Sequence, residues 1–271
     1  MNQATSESSH PIDATQLPAL ERWKRAFTAL AAVLRDPENT EQVLVFSTYA
    51  NAGSMPERIH FFHDHPTGKK LYQEYRTIDA HAVDLDALAT LPVGTLGRAY
   101  SDFLTSRGLT PDIFENPPED ITSPEMAYVV LRLRQTHDLW HVVTGYNTDP
   151  ASEVALQAFT FGQLRAPSSG ILALLGTLHG SQLKRDLFRD VFRAYRVGAR
   201  CQRLAVFPWE DHWSTPLSEV RTMLGLPVEP RDPVELSNAV QAVIAQVVAQ
   251  PSTAPMPKWI VAAVATLPRA A

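Results

Sequence analysis

Apolar residues recur at the spacing of an amphipathic helix along most of the chain, whereas strict alternation of apolar and polar residues is rare. Helical spacing places apolar side chains on one face of a helix, and alternation is typical of half-buried strands. The pattern therefore predicts an all-α protein. The predicted helices span Leu20–Leu34, Glu41–Tyr49, Gly68–Arg76, Thr95–Arg107, Pro124–Thr144, Pro150–Leu164, Gln182–Gly198, Pro216–Leu224 and Val234–Ala249.

The same pattern predicts a single multi-helix domain, residues 19–230, between two appendages. Residues 1–18 are rich in Ser, Thr and Gln and contain no apolar core, so we expect a flexible tail rather than a secretory signal, and their lack of Arg argues against a mitochondrial transit peptide. Residues 231–271 are expected to form a C-terminal helical extension. Its apolar stripe favours burial in the core or at a homodimer interface, with peripheral membrane contact as the alternative.

Composition excludes several classes of protein. A formal net charge of -5 without a basic run argues against nucleic-acid binding, which needs concentrated Lys and Arg. Cys201 is the only cysteine, so an intrachain disulfide and a cysteine-based zinc knuckle are excluded, and a reducing compartment is favoured. No apolar run approaches the length of about 20 residues that a membrane-spanning helix needs. We therefore expect a cytoplasmic protein, soluble or peripheral on the inner face of the membrane.

The most informative motif is His137-Asp138-Leu-Trp-His141, because it places two imidazoles on one face of a helix. At about 100° per residue, His141 lies about 40° and Asp138 about 100° from His137, so the three side chains share one arc. The apolar stripe of the predicted helix lies on the same side. Burying unpaired imidazoles and a carboxylate there would cost several kcal/mol unless they are hydrogen-bonded or bind a metal.

A helical hairpin follows this motif and brings in a second carboxylate. Gly145 is typical of a helix C-cap, and Asp149-Pro150 is typical of a helix N-terminus. In antiparallel helices Glu153 returns to the level of His141. His137, Asp138, His141 and Glu153 are therefore the predicted metal ligands, and hydrogen-bonded core histidines are the alternative.

The predicted ligands suit Zn, Fe(II), Mn(II) or Co(II) and leave positions open for water or substrate. Asp138 stands where zinc proteases carry a Glu as general base, and its shorter reach argues against proteolysis. Arg134, one turn before Asp138, is predicted to pair with Asp138 or to bind a substrate carboxylate or phosphate.

Two further motifs are interpreted as structural. His60, His63 and His65 lie in a segment rich in turn signals, which does not favour a metal site. The glycines of Leu91–Phe103 resemble a phosphate loop, but the required Lys is missing and no strand precedes them. We expect a tight turn that packs against the next helix.

The motif, its spacing to Glu153 and two longer stretches resemble the family of the ubiquinone (coenzyme Q) biosynthesis protein 4. The stretches are Leu91–Phe103 and Trp209–Arg221, and the resemblance extends over about Glu41–Pro227. It implies a helical fold, a divalent metal at His137, Asp138, His141 and Glu153, and an apolar channel for a polyprenyl chain.

The resemblance also implies two alternative functions in the pathway of prenylated quinones. In the first, the chain is an enzyme that removes the carboxylate of a polyprenyl hydroxybenzoate oxidatively, with Asp138 and Glu153 as the catalytic carboxylates. In the second, it is a non-catalytic lipid-binding organiser of a quinone-biosynthesis complex. Both imply an isoprenoid quinone precursor and other quinone-biosynthesis proteins as partners.

Overall fold

Twelve α-helices and no named strand occur in the part of the chain that this computed structural model describes, residues 13–36, 39–114, 116–181 and 186–228, which confirms the predicted all-α fold. The helices are α1 Ala19–Arg35, α2 Thr40–Ala52, α3 Met55–Asp64, α4 Pro66–Gln73, α5 Leu85–Ala89, α6 Leu96–Thr105, α7 Pro124–Gln135, α8 His137–Thr144, α9 Pro150–Leu164, α10 Pro167–Ser181, α11 Leu187–Gly198 and α12 Leu217–Leu224. The predicted helix Val234–Ala249 and the extension 231–271 lie outside the described residues.

The residues just before α1 belong to the packed domain rather than to a flexible tail. Ala14 is fully buried, and its backbone N–H donates to the carbonyl of Asp120 at 2.8 Å. The carboxylate of Asp13 accepts hydrogen bonds from Thr15 and Thr122. Residues 13–18 were expected in the tail, and these contacts place the start of the domain before them; residues 1–12 are not described.

The centre of the fold is formed by α9, which packs between α10 and α11. Gly162 on α9 and Gly198 on α11 allow the two backbones to approach closely. A Cβ added at Gly198 would lie 2.2 Å from the carbonyl oxygen of Phe159, and one at Gly162 would lie 2.5 Å from that of Tyr195. Close packing of the two helices therefore depends on glycine at both positions.

One predicted helix differs from the observed structure for a local reason. The expected continuous helix Pro124–Thr144 is interrupted at Thr136, where φ is -91° and ψ is -2°. The hydroxyl of Thr136 donates to the carbonyl of Arg132 at 2.8 Å, a bond that is known to bend helices. The interruption divides the expected helix into α7 and α8, so the helical wheel does not carry over from one to the other.

Three helices were missed in the sequence. The prediction that His60–His65 lie in a turn is wrong, because α3 runs through Asp64 and His65 caps α4 by accepting from the N–H of Thr67. Short α5 is capped by Asp84, the residue before it, which accepts from the N–H of Ala87. The third, α10, is rich in Gly, Ser and Leu and carries no clear apolar stripe, so the sequence pattern does not reveal it. Tertiary packing rather than amphipathicity stabilises this helix.

The two stretches that carried the family resemblance pair with each other. The N–H groups of Leu96 and Gly97 donate to the carbonyls of Thr215 and Trp213 at 2.9 and 2.8 Å, and the N–H of Leu217 donates to Gly94 at 2.8 Å. Gly94 has a φ of +91°, as a tight turn requires. The predicted tight turn is confirmed, and it holds α6 beside α12.

Candidate metal centre

The candidate site lies at the turn between α8 and α9, where the sequence predicted a helical hairpin. Gly145 adopts a left-handed conformation with φ of 78° and ends α8 by donating to His141 at 2.8 Å. Asp149 caps α9 by accepting from the N–H groups of Ala151 and Ser152, each at 3.1 Å. Both caps are those the sequence predicted, and they determine where the two helices meet.

Three of the four predicted side chains come together here, and the fourth, Glu153, lies beside His141 but outside that group. One ligand atom each of His137, Asp138 and His141 lies within 4.8 Å of the others, in the only such group of three among the described residues. Glu153, in the first turn of α9, places Oε1 3.3 Å from Nε2 of His141. The structure thus shows Glu153 facing the His141 ring; whether these groups bind a metal stays a prediction.

Each ring nitrogen of His141 has a defined neighbour. Nδ1 lies 3.0 Å from the carbonyl oxygen of Tyr146, which can only accept, so Nδ1 carries a hydrogen. Nε2 is thereby left to face the carboxylate of Glu153. The His141 side chain is 1% exposed and that of Glu153 is 37% exposed, so the pair joins the core to the solvent.

His137 lies edge-on to His141, with ring centroids 4.8 Å apart and an angle of 75° between the planes. Its Nδ1 lies 3.6 Å from Oδ1 of Asp138. Burial opposes protonation of His137, but the neighbouring carboxylates of Asp138 and Glu153 outweigh it, so the pKa of His137 is raised. The site therefore concentrates negative charge, which favours the binding of a cation.

Two aromatic residues of α6 complete the wall and were not predicted as site residues. The ring of Phe103 stacks on His141 with centroids 5.5 Å apart. Tyr100 is buried, and burial together with the charge of Asp138 raises the pKa of its hydroxyl, which therefore keeps its proton. Both residues lie in the Leu91–Phe103 stretch, so the resemblance contained a signal that residue spacing did not.

A third missed residue, Arg221 on α12, holds the end of α8. Its guanidinium donates to the carbonyls of Val143 at 2.9 Å and Val142 at 3.1 Å. Burial lowers the pKa of Arg221. A cation that binds the last carbonyls stabilises a helix C-terminus, so Arg221 positions the helix that carries both histidines.

Arg134 does not pair with Asp138 as expected. Its guanidinium donates to the hydroxyl of Thr48 at 3.3 Å and lies 6.0 Å from the centre of the Phe114 ring. Burial lowers the pKa of Arg134, and the charge of Asp120 partly offsets this effect. The interruption at Thr136 changes the helical phase between Arg134 and Asp138, which explains the error; a role in substrate binding stays untested.

The second histidine cluster forms no group of metal ligands within the described ranges. The ring of His63 packs edge-on to those of Phe62 and Tyr72, with centroids 5.6 and 5.5 Å apart. The structural interpretation of this cluster is therefore retained.

The sequence profile described as coenzyme Q (ubiquinone) biosynthesis protein Coq4 matches residues 13–230 of the chain. The chain belongs to this family. The family is named for ubiquinone biosynthesis, and the resemblance inferred from the sequence is confirmed.

Curated relatives carry the same name. The ubiquinone biosynthesis protein COQ4 of Laccaria bicolor is 32% identical over 221 residues, which cover 80% of this chain and 73% of the relative. That of Coprinopsis cinerea is 34% identical over 163 residues, or 59% of this chain and 56% of the relative. The chain thus spans little more than half of the Coprinopsis protein. Both relatives are named as mitochondrial, and the cytoplasmic location of this chain stays a prediction.

A solved structure shares the fold. A crystal structure from Nostoc punctiforme, provisionally named a ubiquinone biosynthesis protein, is 27% identical with a TM-score of 0.61, covering 76% of this chain and 96% of the other. Within the described residues, no helix is long and apolar enough to cross a membrane.

Proposed function

We propose that this chain binds a divalent metal ion through His137, Asp138, His141 and Glu153 and holds a prenylated ring precursor of ubiquinone beside it. The observation that carries the proposal is the arrangement around His141. Its Nδ1 donates to a carbonyl, and its Nε2 faces a carboxylate oxygen at 3.3 Å. Two electron-pair donors at this distance need a cation or a proton between them.

The donor set fits such an ion. Two imidazoles with one or two carboxylates suit Zn, Fe(II), Mn(II) or Co(II), and the carbonyl of Tyr146 acts as the outer partner that fixes the orientation of a ligating imidazole. A bound ion would polarise a carboxylate or phenolate oxygen of the substrate. The partly exposed side chain of Glu153 indicates the direction from which a substrate would enter.

The surrounding residues have separate roles in this proposal. Asp138 is the candidate general base, because it lies next to His137 and near Tyr100. Tyr100 keeps its proton and would donate a hydrogen bond rather than accept a proton. Phe103 covers one face of His141 and excludes water from it.

An apolar groove offers a site for the prenyl chain. It encloses about 270 Å³ between α9, α10 and α11 and is lined by apolar side chains, among them Ala158, Phe161 and Ala173. Ala158 lies about 7.5 Å further along α9 than Glu153, from the rise of about 1.5 Å per residue. A ring at the metal centre and a tail in the groove could therefore share one helix.

For the enzymatic function, we propose that the ring carboxylate is replaced by a hydroxyl group and released as CO₂. One oxygen atom of O₂ enters the ring, and the other leaves as water with two protons and two electrons from an external reductant. Asp138 and Glu153 remain the candidate catalytic carboxylates. The alternative function, a lipid-binding organiser of quinone-biosynthesis proteins, is favoured by the same apolar groove.

Metal binding is tested by titrating the metal-free full chain with Co²⁺ and following visible absorption and retained metal. We expect one ion per chain. Glu153→Gln and His137→Ala should each weaken binding at least about tenfold, since loss of an outer partner alone costs that much. Glu219→Gln, an exposed carboxylate on α12, is the matched control and should change nothing. Unchanged binding by Glu153→Gln would contradict the proposed site.

Catalysis is tested separately with metal-loaded protein, a short-chain prenylated hydroxybenzoate, ¹⁸O₂ and a chemical reductant. Mass spectrometry should show CO₂ release and one ¹⁸O atom in the ring. Binding of the lipid without CO₂ release would support the organiser instead. The same conclusion would follow if Glu153→Gln lost the metal but still complemented a quinone-deficient strain.

A further inference from the structure

Four arginines occupy one face of α11 or its immediate continuation. They are Arg189, Arg193, Arg196 and Arg200. At about 100° per residue, these four positions fall within an arc of about 60°, and they extend over about 16 Å. Leu187, Ala194 and Gly198, on the opposite side, are buried. The face therefore points away from the core, and it concentrates positive charge on a chain whose net charge is -5.

Among the described residues, few carboxylates neutralise this charge. Arg193 pairs with Asp190 at 3.3 Å, and Arg196 lies 5.9 Å from the centre of the Phe192 ring. Arg189 and Arg200 are exposed and have no side-chain partner among the residues described. All four line a cavity of about 640 Å³ together with residues 225–227, and none of its lining residues in the described part of the chain is a carboxylate.

Exposed apolar side chains border the arginine face. Phe188 is 67% exposed, and Phe192 and Leu174 are also exposed. Phe188 and Phe192 lie within about 80° of the arginine arc on the wheel of α11. Phe192 lines both the arginine cavity and the apolar groove, so the two adjoin at this side chain.

We propose that this surface docks on an anionic lipid bilayer. Arginines that neutralise lipid head groups beside aromatic residues that enter the interface are the combination that holds peripheral proteins on membranes. Symmetric pairing of two copies through this face would bring two arginine clusters together, which like-charge repulsion disfavours. Docking here would open the apolar groove to the bilayer, from which an isoprenoid substrate could enter.

The experiment measures cosedimentation of the full chain with vesicles of phosphatidylcholine alone or of equimolar phosphatidylcholine and phosphatidylglycerol. We expect binding to the anionic vesicles only. At about fivefold per arginine, Arg189→Gln with Arg200→Gln should weaken it about 30-fold at low salt. High salt should reduce the difference. Phe188→Ala should weaken binding by a factor that salt does not change.

The matched control removes two exposed lysines, Lys69→Gln with Lys70→Gln on α4, and should bind as the wild type does. Equal weakening by both double variants, or no binding of the wild type to anionic vesicles, would overturn the proposal. The proposal would also be overturned if the arginine variant bound vesicles as the wild type does but lost an oligomer in sedimentation without lipid. The Glu153→Gln variant should still bind vesicles, which separates this surface from the metal site.

Discussion

Glu210→Gln is expected to destabilise the fold strongly although it removes only one charge. Arg132 on α7 is 1% exposed and Glu210 is 14% exposed. Their two hydrogen bonds, at 2.8 and 3.1 Å, connect the helix before the metal centre to the Trp209–Arg221 stretch. Arg132 also donates to the carbonyls of Arg76 and Phe207 at 3.2 and 3.1 Å, so its guanidinium is held in place and cannot move to water.

Removing one partner of a buried ion pair leaves an uncompensated charge, which costs about 3–5 kcal/mol. Because Gln retains some hydrogen bonding, we expect a loss of about 3 kcal/mol in the free energy of unfolding, from a total of about 5–15 kcal/mol. For a domain of this size the melting temperature should fall by about 6–12 °C. Urea unfolding followed by tryptophan fluorescence measures the change.

Asp211→Asn is the matched control, because Asp211 is exposed and pairs with Arg76 at 2.6 Å at the surface. It should cost no more than about 1 kcal/mol. The double variant Arg132→Met with Glu210→Met should recover much of the loss, because no charge then remains buried. The reasoning is refuted if Glu210→Gln unfolds within about 1 kcal/mol of the wild type, or if the double variant is the less stable of the two.

Two other outcomes follow from the structure. Gly198→Ala should lose about 1–3 kcal/mol of unfolding free energy, because the new Cβ meets the backbone of α9. Gly170→Ala is the control and should cost less, because its Cβ meets only the ring of Phe161. Thermal melting compares the two variants, and equal stability would contradict the close packing. The hydrogen bond from Arg76 lowers the pKa of Asp211 below its usual 3.8. The ionised Asp211 therefore contributes its full stabilisation above pH 3.8, and this stabilisation is lost as the pH falls through the lowered pKa. The stability difference between wild type and Asp211→Asn should therefore shrink on acidification, as urea midpoints measured across this range would show.

Local sequence was sufficient where capping chemistry controls the structure. Gly145 and Asp149-Pro150 fixed the turn between α8 and α9, and the helix predicted from Pro150 to Leu164 has the observed bounds. Within that turn, the return of Glu153 to His141 follows from helix geometry alone. This part of the candidate site could be predicted because every contact in it is made by residues close together in the chain.

Long-range contacts decided the rest, and no periodicity could reveal them. Arg132 is buried because α7 meets the Glu210 segment, 78 residues later in the chain. Tyr100, Phe103 and Arg221 reach the site from α6 and α12. Spacing describes only one helix at a time.

The sequence by itself determined the helical class and the caps of the turn between α8 and α9, because caps and helical periodicity act over a few residues. Only the tertiary structure decided that the carbonyl of Tyr146 orients His141, that Phe103 stacks on its ring, and that α11 presents its arginines outward. These features depend on how whole helices pack against each other. Packing is determined by the shape of the buried surfaces, and residues far apart in the chain form these surfaces together.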